Sequence, residues 1–262
     1  GGPPRAEALL AGAGQPVGLK ADLLISKATY PGLDSHRIQG NVVVPLVQVI
    51  DWFTGLARRT RSDLKLQACR DIKVLKGLTL TQYEGQGDRY TMQCAQVRNG
   101  DGAALSLELR GVDGTLHYTA TADMASELMA EAKALPKLSL ESFTGPVYGD
   151  VLFHGPEFQV IKTVDGVSQD GIQAELDGTD PVVALDGGLQ LALLFAKHTL
   201  GGKSLPMRVG AAKSYAPLTG GPVQCALVGQ VGRQKVTADI TFSREGRVLA
   251  ALEGVEAVLL PE

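Results

Sequence analysis

The order of elements, repeated across the two halves of the chain, limits the fold more than any single motif does. In PLVQVIDWFTGLARR, the residues Leu46, Val49, Ile50, Phe53, Leu56 and Ala57 recur at three- and four-residue spacing. This predicts a helix with one buried stripe and with Pro45 in its first turn. A strand is expected before it, over Val17 to Ile25. Extended segments follow it around Ile72 to Leu80, Tyr90 to Val97, Leu105 to Leu109 and Leu116 to Ala122, divided by glycines and by the NGDG turn at Asn99 to Gly102. The second half repeats the order. Phe158 to Thr163 and Gly171 to Leu176 read as extended, and Asp186 opens a second helix, DGGLQLALLFAKHTLGG, ended by Gly201 and Gly202. Strands are then expected over Val209 to Tyr215, Val223 to Val231, Val236 to Phe242 and Val248 to Val258.

One long helix per half cannot shield both faces of a sheet. The economical packing wraps each antiparallel sheet around its own helix, and joining the two sheets would protect an edge strand of each. The expectation is therefore an α+β double hot dog with units over 1–130 and 131–262. The segment from Ala125 to Ser142 connects them, either as a short helix or as a solvated linker.

Composition excludes the extreme classes. Of the 262 residues 44% are apolar and 20% charged, which suits a globular chain and not a disordered acidic one. Apolar runs such as LALLFA fall far below the roughly 20 residues that cross a bilayer. GGPPRAEALLAGAGQP lacks the apolar centre of a secretory signal and reads as a flexible end. With 25 Lys plus Arg against 28 Asp plus Glu, the net charge of -3 gives no reason to bind nucleic acid. Cys69, Cys94 and Cys225 are widely spaced and odd in number, as expected of reduced buried thiols in a cytoplasmic setting. Sequence signals for a metal or nucleotide site are absent, so no metal and no bound cofactor are expected.

Two polar residues stand beside the helices. His36 lies in LDSHRIQGNVVVP, where Gly40 permits close backbone approach and the coming helix offers unpaired amides. A lone histidine is equally compatible with a structural role. Asp186 holds the corresponding place before the second helix. An aspartate there also suits a helix cap, but Gln190 lies four residues on and can hold the carboxyl by a hydrogen bond that capping does not require.

In these residues the chain resembles the dehydratase domains of polyketide synthases and polyunsaturated-fatty-acid synthases. Their first signature, a histidine, three residues, glycine, four residues and proline, is matched by His36, Gly40 and Pro45. The second, an aspartate followed after three residues by glutamine or histidine, is matched by Asp186 and Gln190. Between them LFHGPEFQ resembles the family's glycine–proline–aromatic segment through Gly155, Pro156 and Phe158, and LPMRVG at Leu205 to Gly210 resembles the strand that follows the aspartate. Two positions depart from the pattern. Leu46 stands where glycine often follows the proline, and His154 stands where tyrosine often precedes the glycine–proline pair.

The resemblance implies a double hot dog and a dehydration. A 3-hydroxyacyl thioester, carried on the phosphopantetheine of an acyl carrier protein, would become a 2,3-enoyl thioester. His36 would be the base, Asp186 the acid, and amides near Gly40 and the first helix would hold the thioester oxygen, with Gln190 favouring the neutral acid through its amide oxygen or simply orienting it. Gly40, Pro45, His154, Gly155, Pro156 and Gln190 would support or position the substrate. Val42 to Val44, Leu152, Phe153 and Phe158 are candidate walls of an acyl tunnel. Arg58, Arg59 and Arg61 would face the carrier protein, although cations at a helix end need no partner to explain them. Neighbouring synthase domains are the other implied partners, with no membrane, and a homodimer is compatible with exposed sheet edges without being required. A double-bond isomerase or cyclase of the same fold, or a dehydratase-like domain without activity, are the alternatives.

Overall fold

In the computed structural model, which describes residues 6–11, 15–128 and 132–262, the stripe of the first half forms helix α1 (Leu46–Thr60). Leu46, Val47, Val49, Ile50, Trp52, Phe53, Leu56 and Ala57 are buried, while Asp51, Arg58 and Arg59 face solvent. Pro45 is the cap residue with extended backbone, one step ahead of the expected first turn. The contacts between Cα atoms divide the chain into Gly1–Ala130 and Glu131–Glu262.

The first unit contains β1 (Ala6–Ala11), β2 (Gln15–Ile25), the short pair β3 (Arg37–Ile38) and β4 (Asn41–Val42), then α1, β5 (Lys65–Val74), β6 (Asp88–Asn99), β7 (Gly102–Gly111) and β8 (Leu116–Ala125). Six of these strands hydrogen-bond in the order β1–β2–β6–β7–β8–β5, antiparallel throughout. Strands β2 and β5–β8 all touch α1. Alternation supplies the facing surface, as in β7, where Leu105, Leu107 and Leu109 are fully buried.

The second unit runs β9 (Ile161–Val167), β10 (Gly171–Leu176), α2 (Pro181–Leu200), β11 (Ser204–Ser214), β12 (Val223–Val231), β13 (Lys235–Arg244) and β14 (Arg247–Leu259). Its sheet order is β11–β14–β13–β12–β10–β9, again antiparallel, and every strand touches α2. Each unit is a curved antiparallel sheet around one long helix, and the chain is an α+β double hot dog.

Several boundaries differ from the sequence expectation. Ala6–Ala11 is a strand and not a flexible end, because β2 offers it a free antiparallel edge. Strand β5 starts earlier than expected and leaves the sheet at Val74. Leu78 and Thr79 then pair with Val44 and Val43 instead of with the sheet. Phe158 ends a 3₁₀ turn (Pro156–Phe158), so β9 begins only at Ile161. The second helix begins at Pro181, five residues before Asp186. Asp180 is its cap, with Oδ1 accepting from the Val182 and Val183 amides. Within the Ala125 to Ser142 connection, part of the expected short helix lies outside the described residues. From Ala132 to Ser142 there is no helix, and Glu141 instead exchanges backbone hydrogen bonds with Val167 of β9.

From Asp186 to Ala196 every residue of α2 is buried. Two glycines allow the sheet to come that close. A Cβ at Gly188 would stand 2.4 Å from the Phe242 ring and 3.1 Å from Ile240, and one at Gly187 would stand 2.8 Å from Val160. Gly55 in α1 has open space at the same position. The two helices should therefore respond oppositely to the same change. Gly55→Ala is expected to raise stability by about 0.5–1 kcal/mol through helix propensity alone. In Gly188→Ala the same gain is outweighed by overpacking of about 1–3 kcal/mol, so the denaturation midpoint should fall; a midpoint that rises in both variants would contradict the packing.

Candidate active site

His36 is held by a short loop that is fixed on both sides. A 3₁₀ turn (Pro31–Ser35) delivers it, and the Tyr83 hydroxyl, which donates to the Tyr30 and Pro31 carbonyls, secures the start of that turn. Trp52 of α1 donates through Nε1 to the Tyr30 hydroxyl at 3.1 Å, which ties the turn to the helix. Arg37 bonds to Asp34, Glu84 and the Gly40 carbonyl. His36 itself is only 6% exposed. Val43 clamps it twice: the Val43 amide donates to the His36 carbonyl, and His36 Nδ1 lies 2.6 Å from the Val43 carbonyl oxygen. A carbonyl can only accept, so Nδ1 carries the proton, and in the neutral ring the lone pair is on Nε2. In that tautomer only Nε2 can act as a base.

Gly40 occupies the apex of the β3–β4 hairpin with φ +84, next to Gln39 with φ +52. It is exposed, and a Cβ there would meet nothing within 4 Å. Its place in the motif is thus explained by a left-handed turn and not by close backbone approach. In the first turn of α1, Pro45 O accepts from Gln48 and Val49, and the Leu46 and Val47 amides have no acceptor within the helix. Those two are the better candidates for holding an oxyanion. Leu46, where the family pattern often has glycine, is buried.

Asp186 lies in the second turn of α2 and is 3% exposed. It is not a cap, since Asp180 performs that role. The dipole of a helix acts mainly within its first turn, so the start of α2 at Pro181 opposes a protonated Asp186 only weakly. Gln190, 1% exposed, donates from Nε2 to Asp186 Oδ2 and to the Phe158 carbonyl, both at 2.8 Å. Its Oε1 accepts from the Tyr148 hydroxyl at 2.7 Å. Of the two expected roles of Gln190, the arrangement is that of orienting the carboxyl and not of serving it through the amide oxygen: the nitrogen faces Asp186 and the oxygen faces Tyr148.

His154 enters from the loop before the 3₁₀ turn Pro156–Phe158. Its Nε2 is 3.3 Å from Asp186 Oδ2, its ring stacks on Phe153 at 4.2 Å between centroids, and its carbonyl accepts from Gln159 Nε2. Gly155 and Pro156 shape the turn that follows; Gly155 O accepts from the Phe158 amide. The structure thus gathers His154, Asp186 and Gln190 within the second unit. Of the candidate tunnel walls, Val42, Val44, Leu152 and Phe158 are buried, whereas Val43 and Phe153 are partly exposed.

Tyr148 is the residue that sequence reasoning missed. Its hydroxyl accepts from the Ile161 amide at 2.9 Å and donates to Gln190. Burial raises its pKa well above the ordinary tyrosine value, and the nearby Asp186 adds to the rise against the opposing bond from Ile161. It therefore stays a proton donor.

Arg58 and Arg59 project from the C-terminal end of α1. Arg61 makes a two-pronged bond to Asp63 and a third bond to Gln96. Cys69, Cys94 and Cys225 are buried thiols; burial pushes Cys69 up to about 12 and Cys94 to about 11. Among the described residues no helix is long and apolar enough to cross a membrane.

Against known proteins, no family model matches the chain. A polyunsaturated fatty acid synthase polypeptide of Thraustochytrium sp. is 27% identical over 226 aligned positions, and the match covers 74% of this chain and 8% of that protein. The chain thus spans a small fraction of the curated relative it matches. Among solved structures, the dehydratase domain of a mycocerosic acid synthase-like polyketide synthase superposes with a TM-score of 0.78 at 15% identity, covering 97% of this chain and 94% of that one. The chain has the dehydratase-domain fold. The dehydratase domain from the CurF module of the curacin polyketide synthase superposes with a TM-score of 0.74 at 16% identity, each chain covered to 97%. That of the CurK module has inactive variants in which an aspartate is replaced by asparagine or a histidine by phenylalanine.

The tautomer of His36 is directly measurable. In 15N-detected spectra above the imidazole titration, Nδ1 should carry the proton and Nε2 the lone pair; a dominant Nε2–H form would contradict the clamp by Val43.

Proposed function

We propose that this chain is a dehydratase that removes water from a 3-hydroxyacyl thioester to give the 2,3-enoyl thioester, with His36 as base and Asp186 as acid. The observation that carries this reading is the state of the two residues. A buried histidine whose Nδ1 is spent on a carbonyl presents a lone pair at Nε2. A buried carboxyl inside a helix can carry a proton with little competition from water. Both stand at the signature positions of a chain that has the dehydratase-domain fold.

His36 Nε2 takes the proton from carbon 2, and the electron pair of that C–H bond becomes the new double bond. The C–O bond at carbon 3 breaks as Asp186 gives its proton to the departing hydroxyl, which leaves as water. One proton is gained by His36 and one is lost by Asp186, so the count for the protein is unchanged. The negative charge that builds on the thioester oxygen is held by the Leu46 and Val47 amides. Gly40 and Pro45 set the path from His36 to that helix turn, while Gly155 and Pro156 set the path from His154 to Phe158 and Gln190. No cofactor takes part, and the acyl group arrives on the phosphopantetheine of an acyl carrier protein within a larger synthase.

A departing hydroxyl needs an acid, the role given to Asp186; a base and an acid can also share a double-bond migration, which removes no water, so the mass of the product separates the two reactions.

Offered carrier-bound 3-hydroxyacyl substrates, the wild-type chain should produce species lighter by one water. Replacing His36 by alanine or Asp186 by asparagine should lower kcat by roughly 10²–10⁴-fold, with the thermal midpoint little changed for Asp186→Asn. Near-normal turnover in either variant would sink the assignment. The carrier is further proposed to meet Arg58 and Arg59 through rim electrostatics. Reversing both charges should raise KM for the carrier-bound substrate and leave a small thioester mimic unaffected; equal effects on the two substrates would argue against that surface.

A further inference from the structure

Two groups of the second unit meet the same oxygen of the Asp186 carboxyl. Oδ2 accepts from Gln190 Nε2 at 2.8 Å and stands 3.3 Å from His154 Nε2. The direction of the Gln190 bond is imposed from outside the pair. Phe158 presents a carbonyl, which can only accept and so takes the amide nitrogen. Ile161 presents an N–H, which can only donate, so the proton of the Tyr148 hydroxyl is left for Gln190 Oε1. Two backbone groups thereby fix the polarity of the whole chain of bonds, and Gln190 cannot turn its oxygen to the acid without breaking both. The His154 ring is held in its plane by Phe153, stacked at 4.2 Å, and by Tyr148, edge-on at 6.4 Å.

We propose that His154 is a positioning residue whose Nε2–H donates to Asp186 Oδ2, so that the transferable proton of the acid resides on Oδ1. The inference rests on the reading of Asp186 as the general acid, and it gives a role to the histidine that stands where the family pattern has tyrosine. In the protonated state, Oδ2 is occupied as an acceptor and Oδ1 carries the hydrogen toward the substrate. After transfer, the anion keeps two donors on Oδ2, which offsets the cost of leaving a carboxylate buried.

Within the second unit, two titratable groups are set against Asp186: His154 from its loop and Tyr148 from the turn before it. The 3₁₀ turn contributes the Phe158 carbonyl, with Glu157 exposed to solvent. The sheet contributes apolar side chains beside the neighbouring glycines, Leu176 of β10 and Ile240 and Phe242 of β13. A donor to the anion makes an acid ionise at lower pH. Without His154 the carboxyl should hold its proton to higher pH, and the alkaline limb of the kcat profile, where the acid is lost, should move upward.

Two variants separate the donor from the ring. His154→Phe keeps the stack on Phe153 and removes the N–H, whereas His154→Gln keeps an N–H at a similar reach. The readouts are the alkaline limb of kcat and the 13C titration of the Asp186 carboxyl, assigned by its loss in Asp186→Asn. In His154→Phe both midpoints should rise by about one pH unit, the size expected for one hydrogen bond to a charged group. In His154→Gln they should stay close to wild type. Should thermal melting show that His154→Phe does not fold, His154→Asn, whose amide is too short to reach, takes its place with the same expectation. Unmoved midpoints in the donorless variant, or equal movement in His154→Gln, would overturn the proposal. A carboxyl midpoint that shifts as expected in a chain that makes no enoyl product would leave the His154 bond standing and remove the dehydratase reading instead.

Discussion

A carboxyl group inside a helix that is buried on every side is the constraint to which the rest of the second unit answers. From Asp186 to Ala196 every residue of α2 is buried, so Asp186 depends on the partners that the fold supplies. An isolated carboxylate there would cost several kcal/mol, and a carboxylic acid without partners would still lose its hydrogen bonds. Gln190, one helical turn on, answers on the same helix face, and Gln190 is in turn held by a carbonyl from the 3₁₀ turn and a hydroxyl from Tyr148. The site is thus as rigid as the core that contains it. Gly187 and Gly188 belong to the same arrangement, because they let β13 and Val160 close over the helix at the level of the acid.

The first unit solves a different problem. Its polar residue stands on a loop, where backbone moves easily, and precision has to come from hydrogen bonds that reach outside the loop. Val43 supplies two of them to His36, and Tyr83, Trp52 and Arg37 fix the turn on either side. Helix α1 keeps a solvent face, with Asp51, Arg58 and Arg59 exposed, so its sheet need not close over it. The two units share an order of elements but not a way of holding a functional group.

This contrast also explains what could be read from the sequence. An amphipathic helix announces its period, and α1 was legible nearly to the residue. In α2 apolar residues occupy all sides, the period vanishes, and Gly187 and Gly188 resemble a helix start although they lie in its second turn. The signal that was present is Asp180 followed by Pro181, a cap and a first-turn proline. Strand β1 was illegible because its glycine-rich flanks suggest a loose end, while pairing with β2 is what makes it a strand. His36, Gly40, Pro45, Asp186 and Gln190 were found through motif spacing, which is local. Tyr148 was not, because its partner Gln190 lies 42 residues away and nothing in VYGDV marks the hydroxyl as a donor to it. The direction of the Gln190 amide was equally hidden, since it depends on Phe158 and Ile161 rather than on Gln190 itself.

Backbone groups therefore decide the chemistry of both candidate residues. A carbonyl at Val43 selects the tautomer of His36, and a carbonyl at Phe158 with an amide at Ile161 selects the direction of every bond between Tyr148 and Asp186. Backbone donors and acceptors cannot exchange roles, in contrast to hydroxyls, amides and imidazoles, which can turn or shift a proton. Side chains alone would leave several proton arrangements of similar energy, and a group required as base or acid would spend part of its time in the wrong one. Anchoring each chain of bonds at an atom of fixed polarity removes that degeneracy. It also means that substitutions far from His36 and Asp186 in sequence, at positions such as Tyr148, act on proton placement before they act on packing.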